Sequence, residues 1–478
     1  MSFIINLKEI GFSMSLQKFK TVYAISVYVS LAAFDNIVIG LFPPLFSNIS
    51  HDLDVPVSAM GVISAINILA TSFSSLFWGY LSGKFNRKKL IIIGTLIWVA
   101  GVWMTSLSGS FIQLLIFQIV TGVGLGCVAA IGFSALTDYV PYKFRGMILS
   151  LWGMSQGFGG IAGALLASII TTLSNWRLPF EVLSLIGMML VIFYFFVEEP
   201  HLGNTEPELQ ALIQTGENYT YRITLKQVMT MIRKRSNLLL FFQGFFMNIA
   251  TGSLIWMPTL YISKIESLGY GTKTAIIVAA FLYGIFQIGG MTSSFFGYLG
   301  DVFQRKSYKA RALITAILVF MTMPFYILLF IFPIDQLSLP ETTNSVTLFF
   351  SLLDQLVTNP WILSLFVISF FASAAQSANT PNWLALITDV NLPEHRGTVF
   401  SVANLANSLG RTVGNLGMGG ILAIVSIYLH HPGDYVLTMI LLQLPLIPSA
   451  LCYLIMAKYN VRDIYHVKKT LDKRGKII

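Results

Sequence analysis

Apolar stretches long enough to cross a lipid bilayer recur twelve times along this 478-residue chain. A spanning helix needs about 20 mostly apolar residues, and only a helix can satisfy its backbone hydrogen bonds alone in hydrocarbon. The stretches are Val22–Phe46, Ser58–Ser82, Leu90–Leu107, Phe111–Asp138, Met147–Leu173, Leu178–Val197, Leu238–Ser263, Thr274–Gly300, Ala312–Pro333, Trp361–Thr388, Val399–Leu429 and Val436–Ala457. With 55% hydrophobic and 11% charged residues and a mean hydropathy of +0.73, the chain cannot cover itself with polar surface. A soluble domain carries roughly 25% charged residues. The expected fold class is an all-α membrane protein with twelve transmembrane helices. Met1–Lys20 lacks a signal-peptide layout, because Lys8 and Lys18 interrupt any apolar core, so the first span is expected to stay as an anchor. Cys127 and Cys452 both lie in apolar runs, which gives no disulfide framework. No metal or cofactor is expected.

The first six and last six spans flank a polar stretch, Glu198–Asn237. The chain is therefore read as a cytoplasmic N-tail (1–20), a six-helix bundle (21–197), a cytoplasmic linker (198–237), a second six-helix bundle (238–457) and a basic cytoplasmic C-tail (458–478). Within the linker, Leu225–Ile232 suits a short interfacial helix. With the N-terminus inside, 26 of the 30 Lys and Arg fall on inner segments. Only Arg177, Lys264 and Lys273 fall in outer loops, and Arg411 lies within a span. That bias predicts two cytoplasmic termini in a multi-pass protein of the cell membrane. It also accounts for the net charge of +9 without nucleic acid, whose binding needs its bases on one face. The C-tail reads as a solvated extension, with contact to anionic lipid as the alternative. The longest outer loop, Ile334–Pro360, carries Asp335, Glu341 and Asp354 and no base, and suggests no function.

One motif recurs. Gly79-Tyr80-Leu81-Ser82-Gly83-Lys84-Phe85-Asn86-Arg87-Lys88-Lys89 returns as Gly297-Tyr298-Leu299-Gly300-Asp301-Val302-Phe303-Gln304-Arg305-Lys306. A second pair of words runs from Asp138 to Arg145-Gly146 and from Asp389 to Arg396-Gly397, each Arg seven residues after its Asp. Repeats in corresponding places of two halves indicate duplication. With Asn175-Trp176-Arg177-Leu178-Pro179-Phe180, Glu198-Glu199-Pro200 and the glycines Gly153, Gly157, Gly159, Gly160 and Gly163 of the fifth span, the pattern resembles the major facilitator superfamily over nearly the whole chain. The words Arg145–Trp152 and Asp35-Asn36 look somewhat like its spinster-type and organic-anion-type members. The resemblance implies two six-helix bundles rocking about one central site, a monomer, and a cytoplasmic latch. Its residues here are Gly79, Arg87, Lys88, Asp138, Arg145, Gly297, Asp301, Arg305, Asp389 and Arg396. Asp138 and Asp389 end helices, where the dipole disfavours an acid, and Arg145 and Arg396 stand ready to compensate; Asp301 sits beside Arg305. The family's usual acid in the first turn is replaced by Gly83, so either the latch is weaker or Asp301 and Asp138 carry it.

Full charges within spans are few and therefore candidates for function. Asp35 is read as a site for a proton, a sodium ion or a cationic substrate group, and Arg411 as a site for an anionic group or a carboxylate. Asn36, Gln118, Gln156, Gln243, Asn248, Gln287, Gln376, Asn379 and Asn407 are the amides expected to line a wet cavity, although a lone amide in a helix also serves as interhelical glue. No histidine lies in a span and no phosphate-binding Gly-x-x-x-x-Gly-Lys-Ser/Thr run occurs, which argues against an enzyme and against direct ATP drive. The function expected is secondary active transport of a small organic solute, coupled to protons or sodium through Asp35. The alternative is an uncoupled facilitator or a flippase for a lipid-like substrate. The partners are the small-molecule substrate, the coupling ion and the bilayer.

Overall fold

The structure is a computed structural model that describes residues 16–42, 45–55, 57–140, 144–171, 174–199, 203, 205–207 and 225–476. Among the described residues the regular structure is helical throughout. The helices are α1 (Leu16–Leu41), α2 (Phe46–Asp52), α3 (Val57–Ser82), α4 (Arg87–Ser106), α5 (Phe111–Cys127), α6 (Phe133–Tyr139), α7 (Arg145–Thr171), α8 (Leu178–Phe195), α9 (Leu225–Ile232) and α10 (Arg235–Ser253). There follow α11 (Met257–Ser267), α12 (Thr272–Phe286), α13 (Ser293–Lys306), α14 (Ala310–Ile331), α15 (Ser345–Thr358), α16 (Pro360–Ser377), α17 (Asn379–Asp389), α18 (Arg396–Val425), α19 (Gly433–Leu441) and α20 (Leu446–Lys476). Several spans are compound. A π-helical turn at Val128–Gly132 joins α5 to α6, and 3-10 turns at Leu254–Trp256 and Gln287–Thr292 join α10 to α11 and α12 to α13.

Among the described residues, ten continuous stretches are long and apolar enough to cross a membrane: Phe19–Leu41, Val62–Ser82, Arg87–Ser106, Phe111–Tyr139, Leu178–Phe195, Arg235–Ser267, Thr272–Lys306, Ala310–Ile331, Pro360–Asp389 and Gly433–Arg474. The helices α7 and α18, of 27 and 30 residues, complete the twelve. The apolarity of α18 is diluted by Asn404, Asn407, Arg411 and Asn415.

Local chemistry sets the helix starts. Asn86 takes an extended backbone before α4 and accepts from Lys89 N at 2.9 Å, and Ser110 does the same for α5 through Gln113 N. Such caps satisfy amides left open by the first turn. Asn359 caps α16, whose first residue is Pro360, a position where a missing N–H costs nothing.

The chain forms two compact units. The first gathers residues before Tyr142, Ser155–Ile223 and the end of the chain from Asp472; the second gathers Lys143–Met154 and Thr224–Leu471. Helix α7 is thus divided, with its opening turns belonging to the second unit. The core of the first unit includes Ile37, Leu41, Ile63, Trp98, Val102, Leu114, Trp176 and Phe180. Beside it, α1 and α7 touch backbone to backbone: a Cβ on Gly159 would lie 2.4 Å from Ala33 O, and one on Gly163 2.2 Å from Ile37 O.

Three features differ from expectation. The loop Ile334–Pro360 contains a helix, α15. The C-tail is no loose extension, because α20 runs unbroken to Lys476 with Ile464, Val467 and Leu471 buried. Asn460 donates to Tyr308 O at 2.7 Å, and Tyr465 meets the Tyr308 ring edge-on at 5.3 Å. Lys264 is not in a loop: it lies in the last turn of α11, buried, and its ammonium donates to Phe330 O and Phe332 O at 2.7 Å each. Those carbonyls belong to the end of α14, where the helix dipole favours a cation.

A surface tie closes one end of the first unit. Arg177 reaches Asp52 at 2.8 Å, donates to Ser108 O and stacks on Trp176. The hydrogen bond from Arg177 holds the Asp52 carboxyl below its ordinary range. A lowered carboxylate pKa stabilises the fold above the ordinary value of about 4, and the contribution disappears as pH falls through the lowered value. Asp52→Asn is therefore expected to flatten the acid limb of the stability–pH curve while leaving stability at neutral pH within about 1 kcal/mol, measured by thermal unfolding in detergent.

Candidate functional site

In the first unit, the repeated motif ends on a buried charge cluster. Arg87 opens α4 just after its cap, and its Nη1 donates to Asp138 Oδ2 at 2.7 Å. Its Nε and backbone N donate to Glu199 Oε1 at 3.3 and 3.2 Å. Asp138 also accepts from Gly203 N at 3.0 Å, so the start of the linker closes over this end. Lys88 donates to Phe195 O, and Gly79 is buried in the last turns of α3. The carboxylate at the end of α6 is thus answered by Arg87, not by the Arg145 that follows it in sequence.

The counterpart in the second unit holds more charges. Arg145 Nη1 donates to Asp389 Oδ1 at 3.1 Å. Arg311 Nη2 donates to Asp301 Oδ1 at 2.6 Å, and its Nε stands 4.0 Å from Asp389 Oδ2. Asp301 accepts from Gly146 N at 2.9 Å and Met147 N at 3.0 Å. A carboxylate there meets two open amides and the positive end of the α7 dipole. The approach needs glycine. A Cβ on Gly146 would lie 2.6 Å from Gly297 O, and one on Gly297 2.5 Å from Gly146 O. All four charged side chains are 1–2% exposed. Sequence order misassigned the pairs here too: Asp389 takes Arg145 instead of Arg396, and Asp301 takes Arg311 instead of Arg305. Arg396 donates Nε–H to Thr388 O at 3.2 Å, and exposed Arg305 lies over the Phe144 ring. Arg311, Glu199 and Gln304, which donates to Asp389 at 3.4 Å, were missed. The one available signal was their position at a span end beside a repeated motif.

The intramembrane candidates fall into separate groups. In the first unit, Asp35 is 6% exposed, and its Oδ1 has no hydrogen-bond partner among the described residues. Asn36 spends its amide on Ala32 O. Gln118 is built into a network, donating to Thr105 Oγ1 at 3.0 Å and accepting from Asn67 at 3.1 Å on Oε1. The side chains of Gln156 and Gln287 lie outside those described.

In the second unit, Gln243 joins three helices, donating to Asn379 Oδ1 at 2.9 Å and Ser449 Oγ at 3.0 Å; Tyr453 donates to the same Asn379 oxygen at 2.8 Å. Asn407 Oδ1 lies against Gly244, where a Cβ would come within 2.0 Å. Gln376 has an oxygen without a partner among the described residues. Arg411 stands midway along α18, exposed, and donates to Asn248 Oδ1 at 3.3 Å. Asn248 itself donates to Gly244 O. The sequence placed Asn248 and Arg411 in one list without linking them; the fold makes them a pair.

The sequence profile described as Major Facilitator Superfamily matches residues 27–339. The cis,cis-muconate transport protein of Acinetobacter baylyi is 23% identical over 53% of this chain and 63% of its own length. The benzoate transport protein of the same organism is 24% identical over 57% of this chain and 62% of its own length. Each match thus spans under two thirds of that relative. Among solved structures, the proton:xylose symporter XylE bound to 6-bromo-6-deoxy-D-glucose is similar in fold, with a TM-score of 0.59, 14% identity and coverage of 92% of this chain and 96% of that one. A bacterial homologue of the human lysosomal transporter Spinster, inward-facing and occupied, gives a TM-score of 0.53, 17% identity and coverage of 94% and 98%.

Proposed function

The chain belongs to the Major Facilitator Superfamily, and from that premise we propose that it carries a small organic anion by alternating access, driven by a proton or sodium ion taken up at Asp35. That it is a membrane transporter and not an enzyme follows from the family and from its transport-protein relatives. The substrate class rests on one observation: Arg411, the base in the middle of α18, is exposed and, among the described residues, donates one side-chain hydrogen bond, to the Asn248 amide oxygen. A guanidinium offers five donors in a planar fork that matches a carboxylate. The relatives named for cis,cis-muconate and benzoate support the same class, since both names denote carboxylates. Gln243, Asn379, Gln376 and Asn407 supply neutral groups to orient the remainder of the solute. The excess of Lys and Arg on alternate loops supports cytoplasmic termini in the cell membrane. The Arg145–Asp389 and Asp301–Arg311 pairs act as the latch that α7 must leave when the cytoplasmic end opens, and the working unit is a monomer.

The test is uptake by purified protein in liposomes of labelled benzoate, cis,cis-muconate and a neutral sugar. Arg411→Gln is expected to raise KM for the accepted acid about tenfold or more, since a hydrogen bond to a charged group contributes about 1.5–3 kcal/mol and 1.4 kcal/mol is tenfold. Arg411→Lys should recover part of the loss. Unchanged KM in Arg411→Gln, or uptake of the sugar in preference to both acids, would overturn the anion reading.

A further inference from the structure

The α14–α16 connection carries a feature that transport does not use. Helix α15 is 14 residues long and starts from a side-chain cap, Asn344 accepting from Val346 N and Thr347 N. At 3.6 residues per turn its side chains sort into three sectors about 100° apart. Leu348, Leu352 and Gln355 are buried against the protein, and Gln355 exchanges hydrogen bonds with the backbone of Ser338. Thr347, Asp354 and Thr358 form an exposed polar sector. Val346, Phe349, Phe350, Leu353 and Val357 form an exposed apolar sector, with Phe350 at 62% and Val357 at 86%. A helix lying on a protein surface in water has two sectors, inside and outside. Three sectors require three surroundings.

We infer that α15 lies in the membrane–water interface, with its apolar sector in the lipid, its polar sector in water and its third sector on the second unit. The lipid assignment rests on continuity with the bilayer surface. Phe349 meets Phe281 of the spanning helix α12 at 5.1 Å between ring centroids. The spans on either side of α15 in the chain also carry exposed apolar rows, Phe320, Leu328 and Ile331 on α14 and Leu363, Val367 and Phe371 on α16. Depth is set by Trp361, three residues after α15 ends, whose indole donates to Pro333 O while its ring meets Phe332 at 4.9 Å. Tryptophan with an apolar body and a bonded N–H marks the interface level. Amphipathic helices bury such a face at the boundary between headgroups and acyl chains. The loop Ile334–Pro360 has no basic residue, so insertion here is apolar and owes nothing to anionic headgroups.

The experiment labels single cysteines at Phe350, Val357, Thr347 and Asp354 with an environment-sensitive fluorophore, in the full chain reconstituted into phosphatidylcholine vesicles. Cys127 and Cys452 are buried, and the unsubstituted chain measures any labelling at them. Labels at 350 and 357 are expected to show blue-shifted emission, quenching by shallow nitroxide lipids and loss of iodide quenching, while labels at 347 and 354 remain open to iodide. Iodide quenching at 350 and 357 equal to that at 354 overturns the proposal in favour of a water-exposed face. Shielding of 350 and 357 from both quenchers overturns it in favour of a protein cover such as a second copy. Raising the phosphatidylglycerol content should leave the pattern unchanged, and a dependence on it would refute the apolar mode of insertion.

Discussion

Asp35→Asn is expected to abolish accumulation of the solute against its gradient while leaving exchange of labelled for unlabelled solute intact. The two side chains have nearly the same shape, so packing around α1 is preserved and only the ability to hold a proton or cation is lost. The carboxyl group is buried, and among the described residues one oxygen lacks a partner and no cation pairs with it. An ionised group so placed costs at least about 2.5–3.5 kcal/mol on insertion scales. A purely structural role would satisfy both oxygens. The measurement is the ratio of internal to external solute in liposomes with an imposed proton or sodium gradient. A ratio falling to equilibrium with counterflow retained supports coupling at Asp35. Accumulation unaffected by the substitution, or flux indifferent to both gradients, would make the protein a facilitator.

The second large effect is expected at the buried charge cluster of the second unit. Arg145→Gln leaves Asp389 facing Arg311 at 4.0 Å with its closest partner removed, and Asp301→Asn leaves Arg311 and the start of α7 without their carboxylate. Removing one member of a buried ion pair costs about 3–5 kcal/mol because the survivor is stranded out of water. Each single substitution should therefore lower thermal stability in detergent. Combining Arg145→Gln with Asp389→Asn should lose much less than the sum of the two, because neither charge is then stranded. Additive losses would mean that the two side chains act separately. On the proposed latch role, the double variant also shifts labelling of a cytoplasmic-side cysteine towards the open state; identical labelling would confine the cluster to stability.

Much of the fold was legible because spans advertise themselves by length and apolarity. The expected and observed ends of α3 and α14 agree within two residues. The pairing within the charge clusters was not legible. The sequence offers an arginine seven residues after each aspartate, yet the partner of Asp389 comes from the start of α7. Coulomb energy follows distance in space, and the start of α7 reaches Asp389 only once Gly146 and Gly297 have let two backbones meet. Helix α15 was hidden for a different reason: it is too short to span, and three sectors with different surroundings produce no simple two-faced pattern. Among the amides, composition identified a polar group in the membrane but not its use. Gln118 spends both ends of its side chain within one unit, whereas Arg411 makes, among the described residues, one side-chain hydrogen bond, to Asn248.

The pairing of α10 with α18 bears on how the chain is made. Gly410 and Gly414 of α18 sit where a Cβ would come within 2.2 and 2.1 Å of carbonyl oxygens of α10, and Arg411 between them bonds to Asn248 of α10. With two arginines and three asparagines, α18 partitions poorly into lipid alone when it leaves the ribosome. Helix α10, synthesised well before it, supplies in advance the groove and the amide that this late segment requires. The eleventh span is in this sense the complement of the seventh: its two glycines and its arginine fit a groove and an amide that come earlier in the chain.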